Sequence, residues 1–164
     1  MKSWHTISFY ISSSFSDMHE EKAELRNNVF PLLQEHYYKQ NVLIDIVNLN
    51  KKEDELDNFL NIYQHEIENS DFFISLIGEH YGYIPEESET SLLQKEIKHA
   101  ILHKLDMLSS VSNLFFYFRQ PLGSLQVPTE IWTKYWEDED TSRYEALLKL
   151  KERIKESKAP VSKY

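Results

Sequence analysis

Cysteine is absent from this chain of 164 residues, and glycine occurs only three times. Without cysteine, disulfide bonds, thiol catalysis and thiolate zinc sites are excluded. The sequence contains neither G-x-G-x-x-G nor G-x-x-x-x-G-K-[ST], so we do not expect a self-contained nucleotide kinase or a dinucleotide-dependent dehydrogenase. The missing cysteines also fit a reducing compartment.

Long apolar runs and an excess of positive charge are missing as well. No run approaches the roughly 20 apolar residues of a transmembrane helix, and the apolar segment near the N-terminus is too short for a signal peptide. We therefore expect a soluble, cytoplasmic protein that makes no membrane contact. The formal net charge of -9 lacks the positive footprint of nucleic-acid binding, so no nucleic-acid partner is predicted.

The chain does contain a regular alternation of apolar runs and helical patterns. Runs rich in apolar, β-branched and aromatic residues predict strands at 6–12, 42–48, 71–77 and 113–119, with the start of a fifth at 159–164. Between them, apolar residues recur at the 3.6-residue spacing of amphipathic helices. This order predicts an α/β three-layer sandwich around a parallel sheet of four to five strands.

Three local features are predicted in addition. Ser16 or Asp17 is expected to cap the first helix, with Glu20 as the partner in a capping box. Pro31 lies within the pattern of that helix and is expected to kink or split it, because proline lacks a backbone N–H donor. The second strand, 42–48, is almost continuously apolar, which predicts a strand covered on both faces.

Two of the predicted strands lead into polar loops. Ser12, Ser13 and Ser14 end the first strand, while the third strand ends in a loop that carries Tyr81 and precedes the helix of Glu96. In a parallel sheet both loops lie at the carboxyl edge, where α/β proteins bind ligands, so these side chains are candidates to line one cleft. The serines could hydrogen-bond to a phosphate or ribose, or act only as turn and cap residues.

Other polar and aromatic groups each have two interpretations. Asp45 and Asn48 flank the end of the second strand and could contact a ribose, although Asp45 could instead pair with Arg119. An aromatic group could stack an adenine or form a docking surface. It consists of Trp132, Tyr135 and Trp136.

Two histidines repeat at a spacing that metal ligands use. His99 and His103 lie four residues apart, and Glu96 precedes them on the same helical stripe. The H-E-x-x-H motif is absent, however, and no cysteine can complete a ligand set. We therefore predict an exposed polar stripe and no metal site.

Five segments, in this order along the chain, resemble a known family. They are FYISSSFSDMHEE (9–21), VFPLL (29–33), EIENSDFFISLIGEHYGY (66–83), SLLQKEI (91–97) and FFYFR (115–119). They resemble the TIR-like domain of uncharacterised function at the N-terminus of STAND/NACHT-type NTPases, such as nephrocystin-3-like and telomerase-associated-protein-like proteins and their bacterial defence relatives. The resemblance covers nearly the whole chain.

This resemblance implies a flavodoxin-like, TIR-like fold for residues 1–164, as the N-terminal piece of a larger protein. TIR domains that cleave NAD use a glutamate early in the third helix, and Glu96 matches that position. NAD would be the substrate, and no cofactor is implied. The loop 12–17 matches the wall that holds the nucleotide. The residues expected at the nucleotide are Ser12, Ser13, Ser14, Asp17, Asn48 and Tyr81.

Three functions remain open. The first is an effector or signalling domain of an immune or antiviral STAND-type protein, in which Glu96 faces the cation-like sugar that forms when the ribosyl–nicotinamide bond of NAD breaks. In the second, Glu96 is an ordinary surface residue and the domain is a non-catalytic module. Such a module would associate with copies of itself or with the remaining domains of the longer protein. The third is a cleft that binds a nucleotide without cleaving it.

Overall fold

The computed structural model describes residues 3–14, 17–47, 62–86, 88–105, 113–119 and 140–164. The strands in these residues are β1 (His5–Ser13), β2 (Val42–Val47), β3 (Phe72–Ile77), β4 (Leu114–Phe118) and β5 (Val161–Lys163). The α-helices are α1 (His19–Glu24), α2 (Phe30–Tyr38), α3 (Tyr63–Asn69), α4 (Leu92–Lys104) and α5 (Thr141–Glu156). All five predicted strands are confirmed.

The five strands form one parallel sheet in the order β2-β1-β3-β4-β5. This is the strand order of flavodoxin-like, doubly wound folds, and the predicted α/β sandwich with a parallel sheet is confirmed. The order reverses direction between β1 and β3. Folds of this kind bind ligands at the carboxyl ends of the two strands that flank this point.

Successive side chains along a strand point to opposite faces of the sheet, and each face therefore has its own hydrophobic cluster. The larger cluster packs Tyr10, Phe73 and Phe116 against α3, α4 and α5. The smaller cluster packs Ile11 and Leu76 against the α1–α2 segment. The helices thus cover the two faces unequally, and only the α1–α2 segment contributes helical residues to the smaller cluster within the described part of the chain.

The position of β2 corrects one prediction. β2 lies at the edge of the sheet, and its residues alternate between half-buried and exposed, with Leu43 41% exposed. The expectation that this apolar strand is covered on both faces is therefore wrong. An edge strand has a neighbour on one side only, so its apolar composition does not guarantee burial.

The helical segment after β1 does not begin as predicted, but its regular α-helical pattern is interrupted near Pro31, as predicted. The residue before α1 is Met18, which has a φ of 64°, and no side chain caps the helix. The capping role expected of Asp17 is therefore wrong, and Ser16 lies outside the described residues. A π-helical turn, Leu25–Val29, separates α1 from α2, and Pro31 lies in the first turn of α2. The backbone remains right-handed helical throughout, so the regular α-helical hydrogen bonding is interrupted by the π-turn just before the proline, which lacks a donor, and the chain does not leave the helix.

No helix within the described residues combines the length and the apolar character needed to cross a bilayer.

The contribution of the larger cluster can be measured with two neighbouring leucines of α5. Leu147 is fully buried, whereas Leu148 is 43% exposed. We expect Leu147→Ala to lower the free energy of unfolding by about 2–5 kcal/mol, because it leaves a cavity in the core. Leu148→Ala should change it by less than about 0.5 kcal/mol. Urea denaturation of both variants checks this, and equal losses would contradict the assignment of the two faces of α5.

Candidate functional site

The carboxyl ends of β1, β3 and β4 carry the polar residues of the candidate site. Ser14 follows β1, Gly78 and Glu79 follow β3, and Arg119 follows β4. Parallel strands bring these positions to the same edge of the sheet, next to the point where the strand order reverses. The location is the one at which doubly wound folds bind ligands.

Glu96 forms the first polar network, together with two hydroxyl groups of β1. The Tyr10 hydroxyl donates a hydrogen bond to Oε1 of Glu96 at 2.6 Å, and the Ser12 hydroxyl donates to Oε2 at 2.5 Å. Tyr10 and Ser12 lie two residues apart, so both point to the α4 side of β1. Helix α4 begins after Ser91, whose hydroxyl oxygen accepts a hydrogen bond from the backbone N–H of Gln94.

This network is closed to solvent. Glu96 is 2% exposed, and Tyr10 and Ser12 are fully buried. Burial raises the pKa of Tyr10 well above its usual value, and the negative charge of Glu96 adds to the effect. Tyr10 therefore stays protonated at neutral pH and remains a donor to the carboxylate.

Asp17 forms the second polar network, which joins the ends of three strands. One carboxylate oxygen accepts a hydrogen bond from the Ser14 hydroxyl. The other accepts from the backbone N–H groups of Glu79 at 3.0 Å and His80 at 3.4 Å. The same oxygen lies 3.3 Å from Nη2 of Arg119. Asp17 is only 8% exposed, so its charge is balanced locally by Arg119 and by fixed dipoles.

Two further ion pairs extend the Asp17 network. Nη1 of Arg119 lies 3.5 Å from a carboxylate oxygen of Glu21, and Nζ of Lys151 lies 3.5 Å from one of Glu79. Burial raises the pKa of Glu79, and the positive charge of Lys151 partly opposes that shift. The second pair connects the loop after β3 to α5.

The remaining predicted site residues do not join these networks in one cleft. The Tyr81 hydroxyl donates to Oε1 of Gln94 at 2.8 Å, and Tyr81 is 2% exposed. Ser13 is half-buried and points to the opposite face of the sheet from Ser12. Asn48 lies outside the described residues. The structure thus pairs Ser12 with Glu96 and Ser14 with Asp17, but in two separate groups.

Two predicted pairings are wrong. Arg119 does not reach Asp45, because it pairs with Asp17 and Glu21, whereas Asp45 is an exposed residue of the edge strand β2. Glu96 does not share an exposed stripe with the two histidines, since its side chain points into the core. His99 and His103 instead contact Glu68 of α3.

Tyr10, Glu79 and Lys151 were not predicted as site residues, and the partner predicted for Arg119 is wrong. The sequence does contain signals for the positions of Tyr10 and Arg119. Tyr10 alternates with Ser12 along a strand, which places both on one face, and Arg119 follows an apolar strand at the same edge as the serines. Lys151 carried no such signal, because its pairing with Glu79 depends on how α5 packs.

An apolar groove lies on the other face of the sheet. It has a volume of about 760 Å³ and runs between the α1–α2 segment and the strands β3 and β4. Its floor includes Phe9, Leu76 and Tyr117. Three carboxylates stand along its rim, from Glu20, Glu21 and Glu24.

A basic and apolar patch lies on the opposite side of the molecule, between α4 and α5. Leu102 is 70% exposed there. Together with Lys98 and Arg153 it lines a cavity of about 240 Å³. The aromatic residues that the sequence predicted as a docking surface, Trp132, Tyr135 and Trp136, lie outside the described residues.

Within the described residues, the carboxylates of Asp17 and Glu96 at the carboxyl edge of the sheet accept hydrogen bonds from protein groups, and the carboxylate of Glu79 pairs with Lys151. A substrate could reach Glu96 only if Tyr10 or Ser12 moved, because all three are buried. The geometry therefore describes a buried polar core at the edge of the sheet, flanked by two surfaces of opposite character. Among the described side chains, the hydroxyl of Ser75, which lies opposite Ser12 on β3, is buried without a hydrogen-bond partner.

Comparisons with known families and proteins give the following findings. The family described as a domain of unknown function (DUF4062) matches residues 8–163. The telomerase protein component 1 of Mus musculus is 34% identical over 86 residues, which are 50% of this chain and 3% of that protein. The protein of the same name from Rattus norvegicus is 25% identical over 175 residues, covering 94% of this chain and 7% of that protein.

A third relative is a TPR repeat-containing protein of Dictyostelium discoideum. It is 25% identical over 185 residues, which cover 96% of this chain and 11% of that protein. The chain therefore spans only a small part of the length of these curated relatives. No solved structure matches the chain.

Gly78 provides a test of the Asp17 network. A Cβ atom at this position would overlap Oδ2 of Asp17 and would lie 2.9 Å from Nη2 of Arg119. We expect Gly78→Ala to displace the carboxylate and to lower the free energy of unfolding by about 1–3 kcal/mol, the cost of leaving buried polar groups without partners. Urea denaturation measures the loss.

Asp17→Ala serves as the control for that variant, because it removes the atom that the new methyl group would meet. In a double-mutant cycle, Gly78→Ala should cost much less when Asp17 is already alanine. Equal costs in both backgrounds would show that the glycine is needed for a reason other than the position of Asp17.

Proposed function

We propose that this chain, which belongs to the DUF4062 family, is a signalling module of a larger NTPase-type protein and acts by associating with copies of itself. The length of its relatives supports a place within a multidomain protein, since the chain spans 3–11% of them. The resemblance to TIR-like domains of STAND/NACHT-type NTPases supports an N-terminal position there. The immune or antiviral role and the cytoplasmic location belong to the same proposal.

The observation that carries this proposal is the opposite character of the two surfaces. The groove is apolar and has a rim of three carboxylates, of which Glu20 and Glu24 are exposed. The patch between α4 and α5 offers an exposed leucine, Leu102, flanked by the cations Lys98 and Arg153. An apolar side chain framed by positive charges is complementary to an apolar groove framed by negative charges.

The two surfaces lie on opposite sides of the sheet, which determines the kind of assembly. The groove is on the α1–α2 side, and the patch is on the outer side of α4 and α5. A contact between different surfaces of two copies is heterologous, so a chain of copies always has a free groove at one end and a free patch at the other. The association therefore repeats from copy to copy, as a signal that depends on clustering requires.

Charge exchange tests the self-association. We expect sedimentation velocity at low salt to show mass that grows with concentration for the parent chain. Glu24→Lys in the rim and Arg153→Glu in the patch should each weaken association several-fold, because each brings like charges together. The two changes combined should restore part of it, since the pair is again complementary.

The matched control is Glu35→Lys on α2, an exposed position outside the groove. It alters net charge as much as Glu24→Lys does and should leave association unchanged. If the parent chain stays monomeric at every concentration, or if the combined variant associates no better than the single ones, the groove does not receive a second copy.

Cleavage of NAD is the second candidate, and the position of Glu96 favours it. Its carboxylate lies at the carboxyl edge of the sheet, and two hydroxyl groups hold it in one orientation. In the reaction the C–N bond between ribose and nicotinamide breaks, and nicotinamide leaves with the bonding pair. The carboxylate would stabilise the cation-like sugar until water adds to it and loses a proton.

The walls of the nucleotide site in this candidate are those implied by the resemblance. Ser14, Asp17 and Tyr81 lie at the same edge of the sheet as Glu96, and Asn48 belongs to the same predicted set. Because Glu96 is buried, this activity requires an assembled state in which α4 or the loop after β1 has moved. The two candidates are therefore compatible, with association as the event that opens the site.

Consumption of NAD by a forced assembly tests the second candidate. The chain is fused to a tag that oligomerises, and loss of NAD is followed by chromatography. We expect Glu96→Gln to lower the rate at least about a hundredfold, the size of effect seen when one stabilising group of a transition state is lost. Glu89→Gln, at an exposed position, should leave the rate unchanged.

Glutamine keeps the size of the side chain, and its amide oxygen can accept from one of the two hydroxyls while its amide N–H donates to the other hydroxyl oxygen, so Glu96→Gln separates charge from packing. Circular dichroism confirms that the variant is folded. If the folded, assembled parent consumes no NAD, or if Glu96→Gln is as active as the parent, Glu96 is not a catalytic carboxylate of this domain.

A further inference from the structure

Three potential metal ligands meet between α3 and α4, away from the carboxyl edge of the sheet. Nε2 of His99 lies 2.9 Å from Oε1 of Glu68, and Nδ1 of His103 lies 3.9 Å from the same oxygen. The ligand atoms of the three side chains all lie within 4.8 Å of one another. The rings of His99 and His103 stack, with centroids 4.2 Å apart.

The separation of these atoms is close to what a bound ion would need. A tetrahedral Zn²⁺ site has Zn–N and Zn–O distances of about 2.0–2.2 Å, which places neighbouring ligand atoms about 3.3–3.6 Å apart. The observed separations of 2.9 and 3.9 Å lie on either side of this range. Rotations of the exposed side chains of Glu68 and His103, without any backbone movement, can therefore bring the ligand atoms to coordinating distance.

The surroundings hold the ligands next to each other without an ion. His99 has a side chain that is 13% exposed, and its ring packs edge-on against Tyr63 of α3 with centroids 6.1 Å apart. Nζ of Lys104 donates hydrogen bonds to the backbone carbonyl oxygens of Glu68 and Ser70. These contacts join the end of α3 to the end of α4, so the arrangement of the ligands is built before any metal arrives.

We propose that Glu68, His99 and His103 bind a divalent transition-metal ion of the Zn²⁺ type, which links α3 to α4. Two imidazole nitrogens and one carboxylate oxygen are ligands that Zn²⁺ accepts, and three protein ligands leave the fourth position to water. Mg²⁺ prefers oxygen ligands in octahedral geometry and should not bind here. The sequence shows the two histidines four residues apart, but the third ligand comes from another helix, 31 residues away from His99.

Titration of the chain with ZnCl₂ tests this proposal. We expect isothermal titration calorimetry to show one Zn²⁺ per chain, and thermal denaturation to show a midpoint that rises with ZnCl₂ but not with MgCl₂. His103→Ala should lower the Zn²⁺ affinity by at least about ten- to a hundredfold. Loss of a residue that only hydrogen-bonds to a metal ligand already has an effect of this size, and His103 is proposed to be a ligand itself. His103 is an exposed side chain, so the variant should remain folded.

Two further variants make the result decisive. Glu68→Gln keeps the size of the third ligand and removes its charge, and it should weaken Zn²⁺ binding while leaving the metal-free protein folded. His36→Ala removes an exposed histidine of α2 far from the cluster and should leave the affinity unchanged. Absence of Zn²⁺ binding, or binding that His103→Ala and His36→Ala weaken equally, would overturn the proposal.

Discussion

The arrangement of the loops at the carboxyl edge of the sheet depends on the hydrogen bonds and the ion pair of the Asp17 carboxylate. It accepts hydrogen bonds from Ser14 after β1 and from two backbone N–H groups after β3, and it faces Arg119 after β4. A buried carboxylate is stable only when donors and a positive charge surround it. Gly78 leaves room for the carboxylate, because a Cβ atom at that position would occupy the same space. The loops that a ligand would contact are therefore fixed to one another by a single acidic side chain.

The fold was predictable from the sequence because strands and helices are local patterns. The apolar runs predicted every strand in the described residues, and the position of Pro31 predicted the interruption of regular α-helical hydrogen bonding in the first helical segment. The order of the strands is not local, so the exposure of β2 was missed: Leu43 belongs to an apolar run but lies on an edge strand. Composition indicates that a segment is a strand, whereas its neighbours decide which of its faces are covered.

Several residues of the candidate site were predictable from the sequence, but their burial and their hydrogen bonds to one another were not. The serines after β1 and Glu96 were predicted to lie at one edge, yet Ser12 and Glu96 are hydrogen-bonded across 84 residues of sequence and are buried together. Asp17 was interpreted as a helix cap, because an acidic residue before a helical pattern usually is one. In the structure its carboxylate instead accepts hydrogen bonds from groups that lie after other strands. Whether a polar side chain faces a ligand or closes on another residue depends on partners that sequence spacing does not identify.

Helix α4 connects the three chemical features of this domain. Its inner side places Glu96 against Tyr10 and Ser12, and its outer side exposes Leu102 between α4 and α5. A third side presents His99 to Glu68 of α3. Because α4 is a helix of 13 residues, the proposed partner on its outer side and the proposed ion on its α3 side would act on the same element. A shift of α4 away from β1 by about 1 Å would lengthen both hydrogen bonds to Glu96 beyond the range in which they are strong. In the proposed assembly, α4 is therefore the element through which a bound partner would expose this closed carboxylate, and the α3–α4 contact would resist that movement.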